Sequence, residues 1–567
     1  MGLGIFNRQI TSLHAAALII GAAGFLSRLL GLLRDRLLAS HFGAGNTLDA
    51  YYAAFQIPDT LFTIFLIGAA SAAILPVFIE YREHGKDAIR MVQTLLSIFS
   101  VVASVIVVIL IFLAPLLVPI IVPGFSSEKM RLTITLTRIM MISPLFFGIA
   151  GIISSTLQSY HHFLIYSLPA IFYNIAIIFG IIVLVPIMGP EGLAAGVILG
   201  ALAQIFVQLP MFFTLGFRPK FIFNTRDEGV RRIFKISIPR VAALSFNQLT
   251  LLLFVGIASY LAAGSVSIFK FAANLIYFPI GLFGVSYAVA IFPKLSENVM
   301  RNKGKEFISE LSFGIRNIVF WSLPLVFLFI VLRAHIVRVI LGAGLFDWNN
   351  TRLVAATLAV LSIMIIFEGL NTLLIRAFYA LGKTREPLRA NLIASFVSIC
   401  IALAITVLLR IEPSSLKALS AILRIADVGD TRVVAIATAF SLGSFLNFIL
   451  LSSILRKSVF RVFGITPLRN FYPIFRITIA SLFAGIIAYI TLIPFPAIIS
   501  TRTFLGIAAQ GVTAGLTGFA GYFLVLGLLR SDEFLSLVES FRQKLYSVKK
   551  QPEIFEVEKL DGKESGK

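Results

Sequence analysis

About fourteen stretches of this chain approach or exceed the ~20 mostly apolar residues a helix needs to cross the hydrocarbon core of a bilayer, and only short polar gaps separate them. They fall near residues 13–33, 49–78, 91–118, 132–157, 164–187, 192–215, 236–262, 265–292, 308–340, 353–381, 388–409, 433–455, 475–494 and 503–529. Several are longer than a perpendicular crossing requires, which implies tilt or extension beyond the lipid. The predicted fold class is therefore an all-α polytopic membrane protein. Composition agrees: 58% of residues are hydrophobic, 13% are charged and the mean hydropathy is +0.96. A soluble protein carries about 25% charged residues, so lipid must be the solvent for most of this surface.

The net charge of +21 would suggest nucleic acid if the basic residues formed a patch. They lie between the apolar stretches instead, where they set orientation, so no nucleic-acid partner is expected. The loops after even-numbered spans hold Arg82, Lys86 and Arg90, then Arg218, Lys220, Arg226, Arg231, Arg232 and Lys235. Later even loops hold Lys294, Arg301, Lys303 and Lys305, then Lys383, Arg385 and Arg389, then Arg456, Lys457, Arg461 and Arg469. The odd loops hold roughly half as many, which predicts that the even loops and both termini are cytoplasmic. The N-terminus lacks a cleavable secretory pattern. The tail 531–567 is expected to form a short cytoplasmic helix followed by disorder. The single cysteine, Cys400, excludes a disulfide or a Cys-based metal site within the chain.

An internal repeat divides the spans. GAGNTLDAYYAAFQIPDTLF, starting at Gly43, and AAGSVSIFKFAANLIYFPIGLF, starting at Ala262, share a Gly eight residues before Ala-Ala (Ala53-Ala54, Ala272-Ala273). Each then has a mid-span proline (Pro58, Pro279) and a closing Pro-x-x-x-Glu (Pro76/Glu80, Pro293/Glu297), at an offset of about 219 residues. Spans 1–6 (residues 1–217) and 7–12 (218–470) are thus expected to form two six-helix lobes related by a pseudo-two-fold axis along the membrane normal. Spans 13 and 14 (471–530) stand outside the repeat. Two such lobes imply a substrate cavity between them.

Residues three and four apart share a helix face. Span 1 then presents His14, Ala17, Gly21, Gly24, Arg28, Gly31 and Asp35; span 2 presents Asp49, Tyr52, Gln56, Asp59 and Thr63. Span 8 presents Ser267, Lys270, Asn274, Tyr277, Gly281, Gly284 and Ala288. Charges at membrane depth are costly unless they pair or meet water, so these stripes are expected to line a shared interior. Small-residue stripes also serve close helix packing, which is the competing reading. Glu368 is either a coupling-ion or proton site or a paired structural acid. Arg138 is expected to snorkel toward headgroups, His161 and His162 to be solvated in a short loop, and Arg316 and Arg333 to have no functional role.

No P-loop, HExxH, GxSxG or other enzyme motif occurs, so no enzymatic activity, cofactor or metal is expected. SRLLGLLRD (27–35), FGAGNTLDAYYAAFQIPD (42–59), ILPVF (74–78), VPGF (122–125), LTRIM (136–140), LQSY followed by LPAIFYN (157–174), AAGSVS (262–267) and FYALGKTREP (378–387) occur in order along spans 1–12. Together they closely resemble the lipid II flippase family MurJ, formerly MviN, of the multidrug/oligosaccharidyl-lipid/polysaccharide exporter superfamily. The resemblance implies two lobes around a central cavity, with spans 13 and 14 as a groove for the polyprenyl tail. It also implies alternating-access flipping of undecaprenyl-diphosphate-linked peptidoglycan precursor across the bacterial cytoplasmic (inner) membrane. The family's cavity arginines match Arg28 and Arg34, its acids Asp35 and Asp49, and a span-8 serine Ser267. Arg forks bind a diphosphate bidentately, which suits such a substrate. The chain departs from the pattern at two places: the family's span-2 arginine falls on Phe62 and its span-8 arginine on Asn274.

Expected partners are the lipid-linked saccharide, membrane lipids and a coupling cation or the membrane potential; a monomer is expected. Two other functions stay open at this point. One is export of another polyprenyl-linked glycan, or drug/cation antiport within the same superfamily. The other is a transport-inactive scaffold of a cell-wall complex. Lys270, one turn before Asn274, is placed to restore a positive charge on that face. Lys270→Ala is expected to lose complementation of a strain depleted of its flippase and Lys270→Arg to keep it; full activity of the alanine variant excludes that role.

Overall fold

The computed structural model describes residues 13–64, 71–84, 87–218, 220–411, 417–465, 472–495, 499–500 and 503–549. The first part of the chain forms α1 (Leu13–Phe42), α2 (Asn46–Ala54), α3 (Gln56–Phe62), α4 (Ser71–Glu83), α5 (Ala88–Ile121), α6 (Ser127–Met140), α7 (Ser143–Ser159), α8 (Phe163–Ser167), α9 (Pro169–Phe179), α10 (Val185–Met188) and α11 (Glu191–Thr214). Then come α12 (Glu228–Ser259), α13 (Ser265–Pro279), α14 (Ser286–Met300), α15 (Gly304–Ile340), α16 (Trp348–Leu361), α17 (Met364–Ala380), α18 (Arg385–Ile411), α19 (Lys417–Ile422) and α20 (Val433–Phe463). Finally α21 (Tyr472–Leu492) and α22 (Phe504–Leu528) pair with each other and lie on α15, and α23 (Asp532–Lys549) follows. The disorder expected beyond α23 falls on residues 550–567, outside those described, as do the side chains of His14 and Ala17.

Among the described residues ten helices are long and apolar enough to cross a membrane, or eleven if the pair α16–α17, bent by 41°, is one span. These correspond to the predicted spans other than the first, second and seventh, so the count of fourteen is not reached by length and apolarity. Each of these three includes residues or side chains outside those described, at 13–17, 65–70 and 236–247. α1 carries Arg28, Arg34, Asp35 and Arg36 in its second half. A turn at Phe55 separates α2 from α3.

The helix starts follow from side-chain caps. Asp87, Asp227, Asp347 and Thr503 accept hydrogen bonds from Arg90 N, Val230 N, Asn350 N and Gly506 N. Close approaches follow from glycine. A Cβ at Gly180 would lie 2.7 Å from Gly196 Cα, and one at Gly284 2.5 Å from Gly369 Cα. Each contact involves a π-helical segment, Gly180–Leu184 in the first and Ile280–Val285 in the second. Gly21 and Gly24 differ: among the described residues nothing lies within 4 Å of a Cβ built at either position.

Prolines inside membrane helices leave the carbonyl four residues earlier without its amide partner, and lipid offers no substitute. Pro324 frees the carbonyl of Phe320, which accepts from the buried Tyr522 hydroxyl at 2.7 Å, tying α22 to α15. Pro115 frees the carbonyl of Ile111, and Arg138 Nε donates to it at 3.3 Å. Arg138 thus has a structural partner in addition to any headgroup. His162 departs from expectation: it is buried, neither ring nitrogen has a partner, and burial beside His161 holds its pKa below the ordinary value. The loop turns at His161 (φ 61) and folds His162 under α7, whose Leu157 carbonyl accepts its amide. Arg316 lies 3.5 Å from Glu533 at the start of α23, and Arg333 donates to Ile330 O within its own helix. Removing a buried hydroxyl while leaving its acceptor in place costs about 1–3 kcal/mol. Tyr522→Phe is accordingly expected to lower the unfolding temperature of the detergent-solubilised protein by several degrees without changing its helix content by circular dichroism.

Candidate functional site

The two repeated helices meet each other. α2 begins immediately after Gly45 and α13 immediately after Gly264, the repeat-equivalent glycines, and the two helices pack together with Tyr52 edge-on to Phe271. Gly264 adopts φ +92, and a side chain there would run into the Ala44 carbonyl at 2.2 Å. With glycine at this position α13 has no capping side chain of its own. The cap comes from α2: Asp49 Oδ2 accepts from Gly264 N at 2.7 Å, and Asp49 Oδ1 accepts from Ser267 N at 2.8 Å and Ser267 Oγ at 2.6 Å. Lys129 of α6 completes the arrangement with an ion pair to Asp49 Oδ2 at 2.7 Å, its ammonium 4.0 Å from the centre of the Phe125 ring. An acid at the positive end of a helix and a lysine on its other side together offset the cost of burying the charge.

A second contact of the same kind joins α1 to the end of α15. Arg36 donates to the carbonyls of Val339 at 2.6 Å and Ile340 at 3.5 Å, and its guanidinium lies 5.0 Å from the Phe504 ring at the start of α22. Here a cation sits at the negative end of a helix. Leu345 N donates to Ser40 O nearby.

Between α1 and α13 lies a cavity of about 300 Å³, lined by Arg28, Gly31, Leu32, Arg34, Asp35, Asn274, Tyr277 and Phe278. Arg34 forms an ion pair with Asp35 (Nη2–Oδ1 2.8 Å, Nε–Oδ1 3.0 Å), and Asn274 Nδ2 donates to Asp35 Oδ2 at 3.0 Å. Arg34 also donates to Asn174 Oδ1 of α9 at 3.3 Å. Asn174 in turn donates to Ser27 O, Ser27 Oγ and Ala170 O, which fixes α1 against α9 and sets the Arg34 guanidinium in place. Arg28 is exposed, lies 5.8 Å from the centre of the Phe278 ring and makes no ion pair among the described residues; its one hydrogen bond, to Phe278 O, is 3.5 Å long. Gly281 makes room for it, since a Cβ there would sit 2.3 Å from the guanidinium.

The cavity therefore gathers Arg28, Arg34, Asp35 and Asn274 but not Asp49 or Ser267, which are buried in the α2–α13 contact. Gln56 is buried in the α2–α3 break and donates to Tyr52 O, leaving its own Oε1 unpartnered. Asp59 and Lys270 lie close enough across the α3–α13 boundary to feel each other's charge. Glu368 lies on α17, where it accepts from Ser444 Oγ at 2.6 Å. Phe62 packs edge-on to Phe147, which packs on Tyr173.

The family model described as lipid II flippase MurJ matches residues 38–506. The chain belongs to the MurJ lipid II flippase family. A probable MurJ flippase of Buchnera aphidicola is 31% identical over 373 residues, 65% of this chain and 73% of that protein. The lipid II flippase MurJ of Burkholderia cenocepacia is 28% identical over 67% of this chain and 75% of its own. In fold, the chain superposes on an inward-closed MurJ structure with a TM-score of 0.69 at 21% identity, over 91% of this chain and 99% of that one. An inward-facing multidrug MATE transporter gives 0.63 at 12% identity, over 79% and 98%.

The MurJ match begins after the SRLLGLLRD run and extends beyond span 12 into α22, further along the chain than the motifs that suggested it. A MurJ protein is a multi-pass membrane flippase and not an enzyme. Three residues of the arrangement escaped sequence reading: Lys129, Asn174 and Arg36. Lys129 sits near the start of α6 among polar neighbours, and Asn174 ends the LPAIFYN run, a signal that was visible without a stated partner. Breaking a buried ion pair by removing one member costs about 3–5 kcal/mol. In a Cys400→Ser background, Val266→Cys on the buried side of α13 is expected to resist a water-soluble maleimide and to become labelled when Asp49→Ala is added. Continued protection would show that Asp49 does not hold the two helices together.

Proposed function

We propose that this protein flips a lipid-linked peptidoglycan precursor, undecaprenyl-diphosphate carrying a disaccharide-peptide, from the cytoplasmic to the outer leaflet by alternating access. The observation that carries the reading is Arg28, an arginine that faces the cavity between α1 and α13 with no carboxylate partner among the described residues. Such a group is costly unless an anion completes it, and a diphosphate offers two forks' worth of acceptor oxygens. Arg34 adds donors beside it, held by Asp35 and Asn174. In this reading residues 1–217 and 218–470 move as two lobes, 471–530 receives the polyprenyl chain, both termini are cytoplasmic, and the membrane is the bacterial inner membrane.

The Asp49 and Arg36 contacts then close one end of the interlobe space and must break for release. Both are helix-end contacts, which can dissociate without disturbing either helix. At about 300 Å³ the cavity is at the small end of ligand pockets, which run about 300–1,000 Å³. It suits a pyrophosphoryl group rather than the whole headgroup, so this conformation precedes or follows the fully loaded state. A cation-selective drug site would need an unpaired acid in the cavity; Asp35 is engaged by both Arg34 and Asn274, which favours the anionic lipid.

Complementation of a flippase-depleted strain is the direct test. The unaltered chain is expected to restore growth, Arg28→Ala to abolish it, and purified Arg28→Ala to bind the diphosphate lipid at least about tenfold more weakly, the loss of one charge-assisted pair at about 1.5–3 kcal/mol. Growth on Arg28→Ala with undiminished lipid binding would instead favour a protein that acts without transport.

A further inference from the structure

The segment between α11 and α12 carries three phenylalanines in two different environments. Phe217 is fully buried and stacks on Phe212 at 4.7 Å. Phe221 and Phe223 are 74% and 54% exposed and stack on each other, with ring centres 6.4 Å apart. The exposed pair is nevertheless held in place. Gln93 Nε2 of α5 donates to Arg218 O at 2.8 Å, and Ile222 N donates to Ser97 Oγ at 3.0 Å. Residues 220–224 form neither helix nor turn, and Ile222 between the two rings is half-buried. The rings therefore lie together on the outer side of a segment whose backbone is fixed to α5.

Cations flank the pair. Arg218, Lys220 and Arg226 are exposed, and none of them has an ion pair among the described residues. The acids beside them are taken: Asp227 caps α12, Glu80 pairs with Arg232, and Glu228 is engaged as well. The flippase reading uses neither the rings nor these charges.

α5 shows at what depth the segment lies. Its large apolar side chains are exposed from Val102 to Ile120. At about 1.5 Å per residue that stretch is about 27 Å long, close to the ~30 Å hydrocarbon core. By the same rise Ser97 and Gln93 lie about 8 and about 14 Å beyond its Val102 end. The headgroup layer is about 5–8 Å deep on each side, so Ser97 stands at its outer edge and Gln93 in water. The segment thus approaches the bilayer from Arg218 to Ile222, with its rings near headgroup depth and Arg218 on the water side. Apolar rings beside unpaired cations at this level are completed by an anionic leaflet, whose headgroups meet the cations while the rings enter among them. A soluble protein partner could cover the rings too, but gives no reason for their depth. We propose that residues 220–223, with Arg218 and Arg226, form a binding surface for an anionic phospholipid headgroup on the outside of the helix bundle, apart from the cavity between α1 and α13.

In the flippase reading this segment is the covalent link between the two lobes, so a bound lipid holds the link at the membrane surface while the lobes rock. That the leaflet is the cytoplasmic one rests on the same reading. The binding itself does not.

The test uses the full-length protein with both native tryptophans removed by Trp321→Phe and Trp348→Phe, and with Phe221→Trp added, in nanodiscs free of lipid-linked precursor. Quenching of the introduced indole is measured with phospholipid brominated close to the headgroup, the bromine being on phosphatidylglycerol or on phosphatidylcholine. Both are expected to quench, phosphatidylglycerol at a mole fraction at least about fivefold lower. Arg218→Glu, Lys220→Glu and Arg226→Glu together are expected to abolish that preference. Because all three side chains are exposed, helix content and the unfolding temperature in phosphatidylcholine are expected to stay unchanged. Equal quenching by the two lipids before the charges are altered overturns the site, as does a preference that survives the triple substitution. An indole that lipid bromine does not reach and aqueous iodide quenches freely overturns it as well, and would leave the rings to a soluble protein partner. With no precursor present, none of these results depends on what the protein transports.

Discussion

In lipid, a peptide group that loses its partner has no water to turn to, and the architecture of this protein is organised around the places where that happens. Its helices are interrupted by prolines, glycines and ends, and at four of these interruptions a side chain from another helix fills the gap. Tyr522 serves the carbonyl freed by Pro324, and Arg138 the one freed by Pro115. Asp49 serves the amides at the start of α13, and Arg36 the carbonyls at the end of α15. The first two link helices within the packed bundle. The last two come from α1 and α2 and reach helices more than 200 residues away in sequence. A helix end is thus both the chain's weak point and its docking point.

This explains why the internal repeat matters physically. Gly45 and Gly264 begin equivalent helices, yet only Gly264 takes the left-handed conformation, and only its helix is capped by the other half. Two copies of one sequence pattern pack against each other, and the symmetry is broken by a single carboxylate. Ser267, whose hydroxyl and amide both donate to Asp49, makes that contact specific to an acceptor of two lone-pair-bearing oxygens.

The membrane class and most of the spans were legible because they depend on runs of apolar residues, which are local. The polar stripes were legible in part: helical periodicity places Arg28, Asp35 and Asn274 on surfaces that face one cavity, whereas Arg34 was suggested only by the family resemblance. What periodicity cannot tell is which member of a stripe is consumed by a partner. Asp49 and Asp35 look alike in sequence; one is sealed between helices by Lys129, the other borders the cavity. His162 was unreadable for a similar reason: its burial depends on how a three-residue turn folds against α7, not on the turn's composition.

The departures at Phe62 and Asn274 gain a meaning from the same accounting. Asn274 supplies to Asp35 a hydrogen bond that an arginine would have supplied with a charge. Asp35 is then balanced by Arg34 alone, and that pair is neutral as a unit. Lys270 brings a charge to the same face of α13, within electrostatic reach of Asp59, but it is not among the residues that line the cavity. Phe62 contributes an aromatic contact rather than a cation. The positive character of the cavity thus narrows to Arg28, a single guanidinium with a loose carbonyl contact and a glycine cleared to receive it. An uncompensated charge in a low-dielectric wall attracts more strongly than several that are already paired. In the proposed flippase function, Arg28 is thus the guanidinium left for a diphosphate, and the pairs around it leave it so.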